Sequence, residues 1–241
     1  MKILARFVNR ILSIFGVRLI WLNKASKTNL PFQFQQDSNY SLVLVGGHNG
    51  SKTTELVGNA LQYGKVCLVE PIPYLFDELT TLYNDTPQVS LLNVAITLNE
   101  VEFVDFYAPT REANKVQDYG DQLGSLSSSH AIDHDSNFEP HIKKIRVRAF
   151  TISRLLTELG CTDIDLLFLD TEGFDAQILK CFPFDVLKPN KIIFEHMHSD
   201  GTHQIGKNFA SVVTLLDSLG YAIRILNNEN VYARQKKTHN V

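Results

Sequence analysis

Four stretches of this chain bring together residue types that can bind or react. Gly46-Gly47-His48-Asn49-Gly50 follows the apolar run Ser41–Val45. Glycine there lets the backbone turn sharply and approach a ligand with no Cβ between. The helix that follows offers unpaired N–H groups to a carboxylate or phosphate. Glu70-Pro71 closes a second apolar run, and an acid at that position can accept hydrogen bonds from both ribose hydroxyls of an adenosine ligand. Asp170-Thr171-Glu172-Gly173 places two carboxylates just beyond the buried run Leu166–Leu169, where ligands of a doubly wound sheet gather. Glu195-His196-Met197-His198 ends another apolar run; its histidines can contact substrate or move a proton. A metal is a weaker reading there, because two histidines and one acid lack a spaced third ligand, and no metal is assigned. Each stretch also has a plain structural reading: a tight turn, a surface acid, a helix cap, a pair of packed histidines. The glycine loop and Glu70 strengthen each other, because an adenosine cofactor needs both.

The elements that must position these residues alternate regularly. Strand-like runs at 41–45, 66–69 and 89–94 are separated by helical stretches at 52–63 and 73–83, the second with Pro73 in its first turn. Continuous apolar strands alternating with helices predict a parallel sheet covered on both faces. The pattern then breaks. Residues 101–107 and 145–150 alternate as strands, and Arg111–Glu139 between them is polar and serine-rich. That segment reads as a long mobile loop, a lid over the acceptor in which Gly124 and Ser125 can reach the ligands. Regularity returns with a helix opened by the Thr151 cap, a strand at 165–169, a helix at 176–182, a strand at 191–194 and a helix at 209–219. The last two strands, 221–226 and 231–234, flank Asn227-Asn228-Glu229-Asn230 as a hairpin. A mostly parallel sheet closed by an antiparallel strand is the seven-stranded class I methyltransferase plan, a Rossmann-like α/β fold.

Composition narrows the function classes. The 241 residues are 44% hydrophobic and 20% charged, enough for one packed domain. A net charge of −3 provides no general field for nucleic acid, and no nucleic-acid partner is expected. Three widely spaced cysteines give neither a disulfide framework nor a zinc pattern, which fits a reducing cytosol and a cytoplasmic location. Residues 1–30 read as a basic amphipathic helix and linker, and 31–241 as the main domain with an insertion at about 100–150. Ile3, Phe7, Ile11 and Phe15 form one apolar stripe beside Lys2, Arg6 and Arg10. Such a helix docks on its own domain or touches an anionic membrane surface. Nothing in the sequence fixes an oligomeric state.

The motifs resemble the FkbM methyltransferase family over about residues 42–198. The likeness rests on Gly46-Gly-His-Asn-Gly50, Val69-Glu-Pro-Ile-Pro73, Asn93-Val-Ala-Ile96, Leu169-Asp-Thr-Glu-Gly173 with Asp175, and Phe194-Glu-His-Met-His198. The resemblance implies S-adenosylmethionine as cofactor and transfer to a hydroxyl oxygen of a sugar or other small molecule. It implies that Gly46, Gly47 and Gly50 cradle the cofactor with His48, Asn49 and Pro71 beside them. Glu70 holds the ribose, Ala95 lies near the adenine, and Asp170 and Glu172 lie near the transfer site. Asp170, Glu172, His196 and His198 are the candidate bases. Many members carry an acid where this chain has Leu44 and a lysine where it has Phe168.

Two other classes stay open at this stage. A non-catalytic adenosine-binding protein would keep the loop and Glu70. A nicotinamide-dependent oxidoreductase would want Gly-x-Gly-x-x-Gly, and the loop here does not match it.

Overall fold

Strands that are apolar at every position are stable only where helices cover both faces of a sheet. The computed structural model describes residues 20–21, 32–35 and 38–236. Its strands are β1 (Ile20–Trp21), β2 (Tyr40–Val45), β3 (Lys65–Val69), β4 (Val89–Leu92), β5 (Ala95–Thr97), β6 (Phe103–Pro109), β7 (Ile142–Thr151), β8 (Ile164–Leu169), β9 (Lys191–Glu195), β10 (Tyr221–Ile225) and β11 (Asn230–Gln235). The main sheet has the order β1-β10-β11-β9-β8-β2-β3-β4. Pairing is parallel from β4 through β9, and β11 runs antiparallel between β9 and β10. Apart from the two-residue edge β1, this is the class I methyltransferase sheet.

The helices are α1 (Thr54–Ala60), α2 (Pro73–Tyr83), α3 (His130–His134), α4 (Ile152–Glu158), α5 (Asp175–Cys181) and α6 (Lys207–Ser218). Successive side chains of a strand point to opposite faces, and the core divides accordingly. Val43, Val45, Cys67, Val69, Leu167 and Leu169 pack with α4, α5 and α6, through residues such as Leu155, Leu179 and Val213. Leu42, Leu44, Val66, Leu68 and Leu166 pack with α1 and α2 on the other face, through Val57, Ala60 and Leu79. Fully burying each such side chain is worth about 1.5–3 kcal/mol. Helix boundaries follow local chemistry: Pro73 sits in the first turn of α2, and the Thr151 hydroxyl accepts from the Arg154 N–H at 3.2 Å to open α4.

The expected third strand ends early. Asn93 turns the chain, its side-chain amide donating to the carbonyls of Glu70 (2.7 Å) and Pro71 (3.1 Å). Beyond it β5 leaves for a second sheet of order β5-β7-β6, in which β6 and β7 are antiparallel. The segment between β6 and β7 differs from the loose loop that its composition suggests. It holds 3₁₀ helices at Arg111–Lys115, Gly120–Gln122 and Ser136–His141, the short helix α3, and a small core of Ala113, Leu123, Ala131 and Phe138. Ser125 is pinned to β6 by two backbone bonds with Tyr107, of 2.9 and 3.1 Å. The amphipathic helix expected at the N-terminus lies outside the described residues. No helix among the described residues is long and apolar enough to cross a membrane.

Candidate active site

Register brings the first set of functional residues together. Val45 pairs with both Val69 and Leu169 across β2, β3 and β8. The next residue on each strand is Gly46, Glu70 or Asp170, so the three leave the sheet side by side. This is the point where strand order reverses, the usual ligand crevice of an open α/β sheet. Gly46 has φ +93°, and a Cβ there would lie 1.8 Å from the Asp170 carbonyl oxygen. Only glycine lets these two strand ends meet. The N–H groups of Gly46 and Gly47 both donate to the Val69 carbonyl at 2.9 Å.

Glu70 is nearly fully buried, and backbone N–H groups hold both of its oxygens: His48 donates to Oε2 and Ile72 to Oε1, each at 2.8 Å. Burial pushes its carboxyl up to about 7, against the pull of those two bonds. Each oxygen keeps a second lone pair for a ligand hydroxyl.

These residues line one cavity at the carboxyl ends of the strands, where small-molecule sites of such sheets form. Gly46, Gly47, His48, Gly50, Glu70, Pro71, Ala95, Asp170 and Glu172 all face it. Asn49 does not. Its amide donates to Glu78 Oε2 at 3.0 Å and its oxygen accepts from the Ser51 N–H at 3.1 Å, so it braces the loop from outside. The sequence reading missed Lys52, Ile72, Phe106, Asp121 and Leu126, which also stand in the wall. Gly124 also lines it. Ile72, Ala95 and Phe106 belong to one apolar cluster and give a flat ring somewhere to pack. A buried carboxylate at one end and apolar surface beside it fit the ribose and adenine of S-adenosylmethionine.

Beyond β8 the chain turns through two residues of positive φ, Glu172 at 51° and Gly173 at 94°. Asp175 anchors this turn. Its Oδ1 accepts from the Thr171 N–H (2.9 Å) and hydroxyl, and its Oδ2 accepts from the Glu195 N–H (2.7 Å). One buried carboxylate thereby ties the ends of β8 and β9 together. Asp170 opens onto the cavity. Enclosure by protein raises its carboxyl well above the ordinary value, and the charges of Glu172 and Asp175 add to the rise. Cavity water moderates the first effect, because the side chain is exposed to that space.

The histidines separate. His196 leaves the candidate site: it does not line the cavity, its ring packs on Phe209, and Nε2 points to the Asn227 carbonyl at 3.5 Å. The motif alternates like a strand end, so His196 turns into the core. His198 turns outward, with Nε2 3.3 Å from Glu195 Oε1. Two histidines of α3, His130 and His134, meet it there. His130 Nε2 is 2.9 Å from Glu172 Oε2. Desolvation pushes Glu172 up to about 8 and His130 down to about 4, so near neutral pH this contact is a hydrogen bond between uncharged partners. His130, His198 and Glu172 line a second cavity that shares Leu126, Glu172 and Phe174 with the first. Sequence reasoning passed over His130 and His134, although their four-residue spacing puts both rings on one helix face.

The two departures from the resemblance are one exchange. Leu44 and Phe168 are cross-strand partners on β2 and β8 and pack in the same apolar cluster. An acid and a lysine at these positions would face each other. The apolar pair replaces that contact at little cost to stability, and neither residue lines the cavity.

Comparison with known proteins gives the same assignment. The model of the methyltransferase FkbM domain matches residues 45–223. No curated protein matches the sequence. Three solved structures are similar to this chain at low identity. Fibrillarin from Aeropyrum pernix, with natively bound S-adenosyl-L-methionine, has a TM-score of 0.42 and 12% identity over 93% of this chain and 73% of its own. Precorrin-6y C5,15-methyltransferase from Geobacter metallireducens has 0.45 and 12% over 89% and 94%. A protein from Corynebacterium glutamicum has 0.48 and 8% over 98% and 91%. The domain match spans all four motifs, from Gly46 to His198, and by it this chain belongs to the FkbM family of S-adenosylmethionine-dependent methyltransferases.

Proposed function

We propose that the enzyme methylates a hydroxyl oxygen of a sugar or other small polar molecule. The observation that carries this reading is the pair of adjoining cavities. One fits the cofactor. The other has Ser127, Asp133, Gln177, Asp200 and Asn208 in its wall, groups that suit a hydroxylated acceptor. Asp170 stands on the first cavity next to Glu172, which borders both.

S-adenosylmethionine, when bound, supplies a methyl group already activated on a sulfonium. The chain therefore has to hold, align and deprotonate. Glu70 accepts from the ribose hydroxyls, and Ile72, Ala95 and Phe106 pack the adenine. Asp170 takes the proton from the acceptor hydroxyl as the oxygen–carbon bond forms and the sulfur–carbon bond breaks. A carboxyl held above its ordinary value suits this role near neutral pH. The measurement is methyl transfer from labelled cofactor into the small-molecule fraction of a cell extract. Asp170→Asn should lower kcat by about 10²- to 10⁴-fold and leave cofactor affinity in place. Normal turnover by Asp170→Asn rejects Asp170 as the base, and label confined to protein or nucleic acid rejects the acceptor class.

A further inference from the structure

Five side chains that ligate metals gather from three separate stretches of the chain, and three of them, His130, Glu172 and His198, line the second cavity. His130 and His134 come from α3, Glu172 from the turn after β8, and Glu195 and His198 from the end of β9 and the loop beyond it. The ligand atoms of His130, His134 and His198 all lie within 4.8 Å of one another, and so do those of Glu172, Glu195 and His198. His198 belongs to both sets, so the two describe one centre. We infer that this centre binds a divalent transition-metal cation, with its open side toward the acceptor cavity.

Two atoms point to a ligand. Glu195 is more than nine-tenths buried, yet among the described residues its Oε2 has no hydrogen-bond partner, and neither does the buried Nε2 of His134. A buried unpaired polar atom costs about 1–3 kcal/mol, so native structures seldom keep two in one cluster without a bound group. Among the described residues, the ion-pair contacts of Glu172 and Glu195 are to His130 and His198, not to lysine or arginine. A dication gives both carboxyls a cationic partner and favours their ionised forms. Three imidazoles and two carboxylates suit zinc, cobalt, iron or manganese better than magnesium or calcium, which take oxygen ligands. Metal–nitrogen bonds of about 2.0–2.1 Å require the side chains to draw closer together around the ion. His198 has to change its bonding on the way. Its Nδ1 now accepts from the His203 N–H at 2.9 Å, which leaves the ring proton on Nε2. To ligate through Nε2 it moves that proton to Nδ1, and the His203 amide releases it.

The site's use rests on the O-methylation reading: a cation there makes a bound acceptor hydroxyl a stronger acid. Its existence does not. The test takes the full-length chain, stripped with EDTA, dialysed and titrated with Co²⁺. One equivalent should bind with visible ligand-field absorption, and Zn²⁺ should displace it. His134→Ala removes a ring whose Nε2 makes no hydrogen bond, so it should fold. It should weaken Co²⁺ binding at least tenfold, as should Glu195→Gln. S-adenosylmethionine affinity, measured by calorimetry on the same samples, should change less than twofold and reports the fold. Absent cobalt absorption in protein that still binds the cofactor overturns the site, as does cobalt affinity untouched by both variants. If methyl transfer to a small molecule persists in such a case, the activity stands and the metal alone is lost.

Discussion

The residues around Glu70 and those around His198 are held in opposite ways. On the cofactor side, Gly46, Glu70 and Asp170 follow directly from three register-matched residues, and the Glu70 carboxylate is fixed by two backbone N–H groups. On the acceptor side, His130 and His134 come from an insertion and meet Glu172 and His198 through their side chains, and His198 in turn meets Glu195. A sheet delivers backbone groups with a precision set by hydrogen-bond register. Side chains from separate segments meet only when each segment has its own support, as α3 has in the small core around Phe138. Rigid backbone suits a cofactor that does not vary, and supported side chains suit an acceptor that differs between enzymes.

Substitution at the seam between the two sides should have the largest effect. Gly46 has φ +93°, and its added Cβ would sit 1.8 Å from the backbone oxygen of Asp170, an atom that cannot rotate away. Gly46→Ala must therefore push β2 and β8 apart at the switch point. The cost should exceed about 4 kcal/mol, a large part of the 5–15 kcal/mol that holds a domain together. Urea denaturation should show a broad early transition or no folded baseline. A midpoint near the wild-type value would break the claim that the cofactor side is fixed by backbone.

The same contrast explains what could be read from the sequence. The central strands were legible because their burial is continuous and their turns carry glycine, proline or a capping threonine. Glu70 and Asp170 were legible because each ends an apolar run. The insertion was not, because its core of Ala113, Leu123, Ala131 and Phe138 is spread through a polar stretch with no helical or strand period. His130 and His134 lie more than sixty residues from His198, and only the folded chain makes them neighbours. Asn49 and His196 show the reverse error. Each sits inside a motif, and the turn geometry sends its side chain away from the ligands.

Glu70 gives a smaller effect with a pH signature. Each charged hydrogen bond to a ribose hydroxyl is worth roughly 1.5–3 kcal/mol, so Glu70→Ala should weaken S-adenosylmethionine by about ten- to a hundredfold. The ionised form is the better acceptor, and burial raises its carboxyl to about 7. Wild-type affinity should therefore improve about tenfold between pH 6 and pH 8, following the ionised fraction. The free protein should respond in the opposite sense. A carboxyl raised on folding contributes stability that is complete below its ordinary value and lost as pH rises through about 7. Calorimetry and thermal melts across this range should give opposing slopes, and Glu70→Ala should flatten both. An affinity independent of pH in the wild type would remove Glu70 from the ribose position.

The smallest effect is expected where the insertion touches the cofactor side. Gly124 lines the first cavity, and a Cβ added there would lie 2.7 Å from Ile72 Cδ1 and 3.1 Å from Phe106 Cε1. These atoms differ in kind from the one that faces Gly46. Ile72 Cδ1 is the far end of a flexible side chain and can turn aside, and the Phe106 ring edge can tilt by a few tenths of an ångström. The backbone of Gly124 also lacks the positive φ that would strain alanine. Gly124→Ala should thus cost under about 1 kcal/mol of stability and change cofactor affinity less than about fivefold. Cobalt binding should not change, because the added Cβ meets Ile72 and Phe106, which are not among the five proposed ligands. If Gly124→Ala instead matches Gly46→Ala in severity, the insertion is as rigidly built into the cofactor side as the sheet itself, and the division between backbone-held and side-chain-held regions fails.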